Sequence, residues 1–193
     1  MPCLIVPGLH SSGPDHWQSR WERRRGDCRR AELGGWDDPI RASWIGRLAD
    51  AVDGIGDPAV LVAHSLGCLA VAGWAEQEPR AADKIAGALL VAPPDVEGSA
   101  DELRRFAPLP RKPLPFPAIV VGSRNDPYAS FARLRGMAAS WGARFHDAGE
   151  MGHINSESGL GDWSEGQALL AELAPERSPV RSKAPPVYRR PRA

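Results

Sequence analysis

Apolar residues fall along this chain in two rhythms. One is the short continuous run: Leu4-Ile5-Val6, Val60-Leu61-Val62-Ala63, Ala88-Leu89-Leu90-Val91 and Ile119-Val120-Val121. Runs this short without alternation predict strands covered on both faces. We place such strands at 2–6, 59–63, 85–92 and 118–122, with a further one at 143–147 and an ambiguous edge strand at 31–33. The other rhythm has helical spacing. Trp44, Ile45, Leu48, Ala49 and Val52 share one face, which predicts a helix over 40–52 with Asp38 as cap and Pro39 in the first turn. A helix opening at Pro14, capped by Ser12 or Gly13, carries Trp17 and Trp21 one turn apart. Further helices are predicted at 69–75, 129–141 and 165–173. Strands alternating with helices predict a parallel sheet with helices on both faces, whose ligands sit at the carboxyl ends of the strands. The proline-rich segment 93–117 is too long for a turn and reads as a surface excursion holding at most one helical turn.

The central run ends in Ala63-His64-Ser65-Leu66-Gly67, and a helix follows. Strand, sharp turn with a serine, then helix is the nucleophile-elbow arrangement, here as A-x-S-x-G instead of G-x-S-x-G. It lifts Ser65 Oγ clear of the sheet and sets the Leu66 N–H at a helix start, where developing negative charge is stabilised. Taken alone, the motif is weak.

A serine hydroxyl needs an imidazole to take its proton, and that imidazole needs a carboxylate to orient it. In hydrolases with this elbow the chain order is Ser, acid, His. Of the histidines after Ser65, His146 falls inside a strand, whereas His153 sits in the loop Gly149–Asn155 beyond it and is the candidate base. The acid is Asp126, after strand 118–122, or Asp95, after strand 85–92, with the case for Asp126 stronger. The second oxyanion donor belongs to the loop after the first strand, where Leu9 N–H is the first choice and His10 the next.

Composition narrows the classes. The 193 residues carry 24 Lys and Arg against 24 Asp and Glu, so no global field steers the protein to nucleic acid. Cys3, Cys28 and Cys68 make no disulfide framework, which predicts a reducing, cytoplasmic setting. No segment approaches the ~20 apolar residues of a membrane span. No metal-ligand spacing or phosphate loop is found, and no cofactor is expected. The segment 176–193 holds six Arg or Lys and four Pro and reads as an extended or disordered basic tail beyond one domain at 1–175. Such a tail could dock weakly on an acidic or proline-reading partner. Cys68 is expected in the core of the elbow helix. Trp17 and Trp21 are expected to be core, while His10, Tyr128 and Trp163 are candidate pocket residues.

Several segments occur together and in order: Pro7-Gly8; Ser12-Gly13-Pro14-Asp15-His16-Trp17-Gln18; His64-Ser65-Leu66-Gly67; Val91-Ala92-Pro93-Pro94-Asp95; Asn125-Asp126-Pro127-Tyr128; and Gly152-His153-Ile154-Asn155. Over about residues 3–174 this resembles the small serine hydrolase family of α/β-hydrolases that includes the retinoblastoma-binding protein 9 type and many bacterial members. The resemblance implies a compact three-layer α/β-hydrolase, a Ser65, Asp126 and His153 triad, and hydrolysis of small acyl esters. Two rival readings remain open on sequence: an amidase or peptidase with the same triad, and a non-catalytic interaction module on a hydrolase fold.

Overall fold

A computed structural model describes residues 1–56, 58–98 and 101–173. The basic segment 176–193, and with it the proposed domain end at 175, lies outside the described residues.

In chain order the elements are β1 (Cys3–Val6), α1 (Trp17–Arg24), β2 (Cys28–Arg30), α2 (Arg41–Ile55), β3 (Ala59–His64), α3 (Leu66–Ala75), α4 (Ala81–Lys84), β4 (Ile85–Val91), α5 (Asp101–Arg104), β5 (Ala118–Gly122), α6 (Phe131–Ser140), β6 (Arg144–Asp147) and α7 (Ser164–Leu173). The six strands form one sheet in the order β2-β1-β3-β4-β5-β6, and every pairing is parallel. All carboxyl ends therefore share one rim.

The pleat divides the apolar runs between two faces. Leu4, Val6, Leu61, Ala63, Ala88, Leu90 and Val120 pack with Trp44, Leu48, Leu69, Leu134 and Met137 of α2, α3 and α6. Ile5, Val60, Val62, Leu89, Val91, Ile119 and Val121 pack with Trp17 and Trp21 of α1 and with Leu169, Leu170 and Leu173 of α7. This is the three-layer α/β-hydrolase architecture, and it explains why the inner strands do not alternate. Cys68 is fully buried in the first of these cores, as expected.

Four expectations about the elements need correcting. The edge strand is Cys28–Arg30, not 31–33. Ala31 and Leu33 are buried just past its end, so the apolar signal sits beyond the hydrogen-bonded ladder. Helix α1 begins at Trp17, and its cap is His16, whose Nδ1 accepts the Gln18 N–H at 3.2 Å. Helix α2 begins at Arg41 after Ile40, with no side-chain cap. Asp38 instead pairs with Arg105, and its own N–H closes a turn on Gly35 O at 3.2 Å. The segment 93–117 is no mere surface excursion either. It contributes Val96, Phe106, Leu109 and Phe116 to the core, with the Phe106 ring 5.3 Å from that of Trp44.

Candidate active site

Ser65 stands alone between β3 and α3 with φ 54 and ψ −128, a left-handed backbone that a side chain disfavours. Its hydroxyl caps no helix N–H, so Oγ is free for another partner. Close packing enforces the turn. A methyl on Gly67 would lie 2.4 Å from Val6 O and 2.5 Å from Pro7 O, because the first turn of α3 rests on the end of β1. A methyl on Gly8 would come within 2.7 Å of Ser65 Cβ, so the loop after β1 crosses directly beside the serine.

Ser65 Oγ is 3.0 Å from His153 Nε2, and His153 Nδ1 is 3.0 Å from each carboxylate oxygen of Asp126. A carboxylate can only accept, so Nδ1 carries the ring proton and Nε2 faces the serine as acceptor. The Asp126 side chain is fully buried, and it also accepts the Tyr128 N–H at 2.9 Å. Asp95 is engaged elsewhere: Arg133 grips both its oxygens at 2.8 Å and holds its carboxyl below the usual range. Of the two candidate oxyanion donors after β1, the His10 N–H is taken up by Trp36 O at 2.9 Å. Among the described residues neither Leu9 N–H nor Leu66 N–H has a protein acceptor.

These groups open into a cleft of about 880 Å³, whose walls include Leu9, His10, Leu103, Pro127, Tyr128 and Asn155. The Tyr128 ring lies 4.5 Å from that of His153 at 62°. His10 stands at the rim, its Nδ1 2.9 Å from Asp37. Trp163 does not line the cleft. It is buried against Trp17 and Trp21, with ring separations of 4.8 and 6.1 Å. Trp17 and Trp21 are core residues, as expected.

Sequence reasoning missed the groups that hold the His153 loop. Ser123 Oγ accepts the Met151 N–H at 2.9 Å, and Asn125 Oδ1 accepts the Gly152 N–H at 2.7 Å. His64 Nε2 donates to His153 O at 2.9 Å, and Trp17 Nε1 donates to Ile154 O at 2.8 Å. Four consecutive backbone positions are thus pinned by side chains, and Trp17 serves the loop as well as the core. His64 lies 4.9 Å from the His153 ring and 4.8 Å from that of His16. Burial, reinforced by the neighbouring imidazoles, keeps His64 neutral well below the ordinary histidine range. The one available signal was that His64 immediately precedes the serine.

Among the described residues, no three His, Cys, Asp or Glu side chains gather as a metal ion would require. No described helix is long and apolar enough to cross a membrane.

A family model described as serine hydrolase matches residues 3–172. The chain belongs to that serine hydrolase family. Solved structures agree. A YdeN-like hydrolase of Pectobacterium atrosepticum is 34% identical over 89% of both chains, with a TM-score of 0.79. The ydeN gene product of Bacillus subtilis is 18% identical, covering 89% of this chain and 97% of that one, at a TM-score of 0.69. The carboxylesterase CesB of Bacillus subtilis is 14% identical, covering 90% and 84%, at 0.58. The last two show a shared fold. No curated protein matches the chain. The narrower likeness to the retinoblastoma-binding protein 9 type stays a resemblance.

Proposed function

We propose that this protein is a serine esterase that cleaves small acyl esters through a covalent acyl-enzyme. The observation that carries the reading is the unbroken line Ser65 Oγ, His153 Nε2, His153 Nδ1, Asp126, with 3.0 Å at each of its two hydrogen bonds, at the floor of an open cleft. Ser65 Oγ attacks the substrate carbonyl carbon while His153 Nε2 takes the hydroxyl proton. Asp126 holds the tautomer and stabilises the imidazolium. The tetrahedral oxyanion lies against Leu9 N–H and Leu66 N–H. Collapse expels the alcohol, which takes the proton from Nε2 and leaves Ser65 acylated. Water then enters, gives its proton to Nε2 and attacks the acyl carbon; collapse returns a proton to Ser65 Oγ and releases the acid.

The walls of the cleft interleave apolar groups such as Leu9, Leu103 and Tyr128 with polar ones, the Asp95 and Asp126 carboxylates among them, and offer a long acyl chain no continuous apolar track. A C2–C4 ester is expected to turn over faster than a C12 ester, and a faster C12 ester would overturn this preference. Thioesters and amides would enter by the same chemistry.

The test is labelling of the purified protein with a fluorophosphonate probe beside Ser65→Ala and His153→Ala. Labelling of the wild type, abolished in both variants with circular dichroism unchanged, supports the reading. No labelling and no ester turnover by the wild type would refute it and favour an interaction module.

A further inference from the structure

The loop after β1 is wound unusually tightly. Ser11 N–H closes on Gly8 O at 3.1 Å, making a four-residue turn with Leu9 and His10 at its centre. The turn's last two residues, His10 and Ser11, both have φ 60. Neither is glycine, and a turn with φ above zero at its third position ordinarily demands one. Such a pair persists only where the surroundings over-determine it.

The surroundings here are the Trp36 carbonyl and Asp37 carboxylate, which hold the N–H and ring of His10 at 2.9 Å each, and, on the Ser11–Ser12 side, one side chain of the edge strand. Arg30 Nη1 donates to Ser11 Oγ and to Ser12 O, each at 3.0 Å. Its Nη2 donates to Ser19 Oγ at 2.6 Å, and Ser19 Oγ donates in turn to Ser12 O at 2.8 Å. Glu22 accepts from Arg30 Nε at 2.9 Å and so aims the plane of the guanidinium. Beneath the loop, Ser12 Oγ donates to Gln18 Oε1 at 2.6 Å, and the Gln18 amide reaches Val62 O at 3.0 Å. A planar fork can hold a hydroxyl and the next carbonyl at once, which a lysine ammonium does less well. The segment so gripped begins two residues after Leu9. β2 is three residues long and carries two arginines, and Arg30 gives its sequence a purpose that packing alone does not.

We propose that Arg30 is a positioning residue: its guanidinium holds the Gly8–Ser12 turn wound so that Leu9 N–H meets the oxyanion. This rests on the reading of Leu9 given above. A backbone donor cannot be deleted by substitution, so the clamp is the handle through which its alignment is tested.

Alignment of such a donor matters most when charge has developed on oxygen, so the loss should fall on kcat. In the full chain, Arg30→Ala is expected to lose about tenfold or more in kcat on 4-nitrophenyl acetate, with KM within about twofold. Affinity for a trifluoromethyl ketone, whose adduct with serine carries the oxyanion, should fall by the same factor. Millimolar guanidinium should restore part of both, because it fills the vacated site between Glu22 and Ser12. Glu22→Gln leaves Arg30 in place and loosens its aim, so it should show a smaller loss of the same kind. That variant decides the matter if Arg30→Ala does not fold. Unchanged kcat and ketone affinity would overturn the inference, as would a kcat loss that leaves ketone affinity unchanged and does not respond to guanidinium. Wild type that labels with fluorophosphonate while both variants match it refutes the inference alone. Wild type that neither labels nor hydrolyses ester refutes the hydrolase reading, and the inference falls with it.

Discussion

His16 makes folding stability depend on pH in a way that one substitution isolates. The residue is 4% exposed and caps α1 through Nδ1, 3.2 Å from Gln18 N. Burial first, then the Arg30 charge and the nearby His153, hold its pKa down at about 4, from 6.5 in an ordinary setting. The folded value lies below the unfolded one, so the unfolded chain binds the proton more readily. The contribution is complete above pH 6.5 and is lost as pH falls toward 4. At 1.36 kcal/mol per pKa unit, less the half-titration at the endpoint, the loss is about 3 kcal/mol by pH 4. That is a large fraction of the roughly 5–15 kcal/mol that holds a domain together. His16→Asn is the clean perturbation, because asparagine is among the best helix caps and does not titrate. At neutral pH it should cost about 1–2 kcal/mol through lost ring packing. On acidification its stability should fall less steeply, so that the two curves converge and cross before pH 4. The assay is urea unfolding at pH 8 down to 4, read by tryptophan fluorescence, with the Trp17 ring 5.3 Å from His16 as a local reporter. The paired carboxylates titrate in both proteins and drop out of the difference, and the His64 ring, 4.8 Å from His16, is held neutral in both chiefly by its own burial. Curves that stay parallel across the range would refute the reasoning.

Other outcomes follow from the same geometry. Asp126→Asn should lower kcat by of order 10⁴, because the amide favours the wrong His153 tautomer; Asp95→Asn, at the residue Arg133 already occupies, should lose less than about tenfold, and the reverse ranking would exchange the two acids. Gly67→Ala places a methyl on two backbone carbonyl oxygens and should cost about 1–3 kcal/mol in denaturant unfolding, with wild-type stability counting against the elbow packing described here.

The inner strands were legible because a strand covered on both faces leaves a short continuous run such as Val60-Leu61-Val62-Ala63, bounded by turn residues. β2 was misread for the converse reason. It is an edge strand whose polar Arg29 and Arg30 carry no run, while Ala31 and Leu33 announce burial one step too late. The cap of α1 went to His16 because a side-chain nitrogen reached the helix N–H, an outcome composition does not foretell. Ser65, His153 and Asp126 could be nominated because each lies in a short loop directly after a strand, and in a parallel sheet all such loops meet. Trp163 was misjudged for want of depth: adjacency in sequence to the His153 loop did not reveal that its ring turns inward to Trp17 and Trp21. The supports of that loop, Asn125, Ser123, His64 and the Trp17 indole, were hidden because each acts on backbone, where no pattern of side chains marks the partner.

The uniform direction of the six strands has one more consequence. Every group assigned a part in the chemistry leaves the sheet at one rim, so the turns that lead into β2, β4, β5 and β6 are far from all of them. That opposite rim is an insulated handle. A fluorophore, a resin linkage or a fused domain attached there would leave the cleft facing outward, and chain length could be added at those turns with stability, rather than turnover, as the quantity at stake.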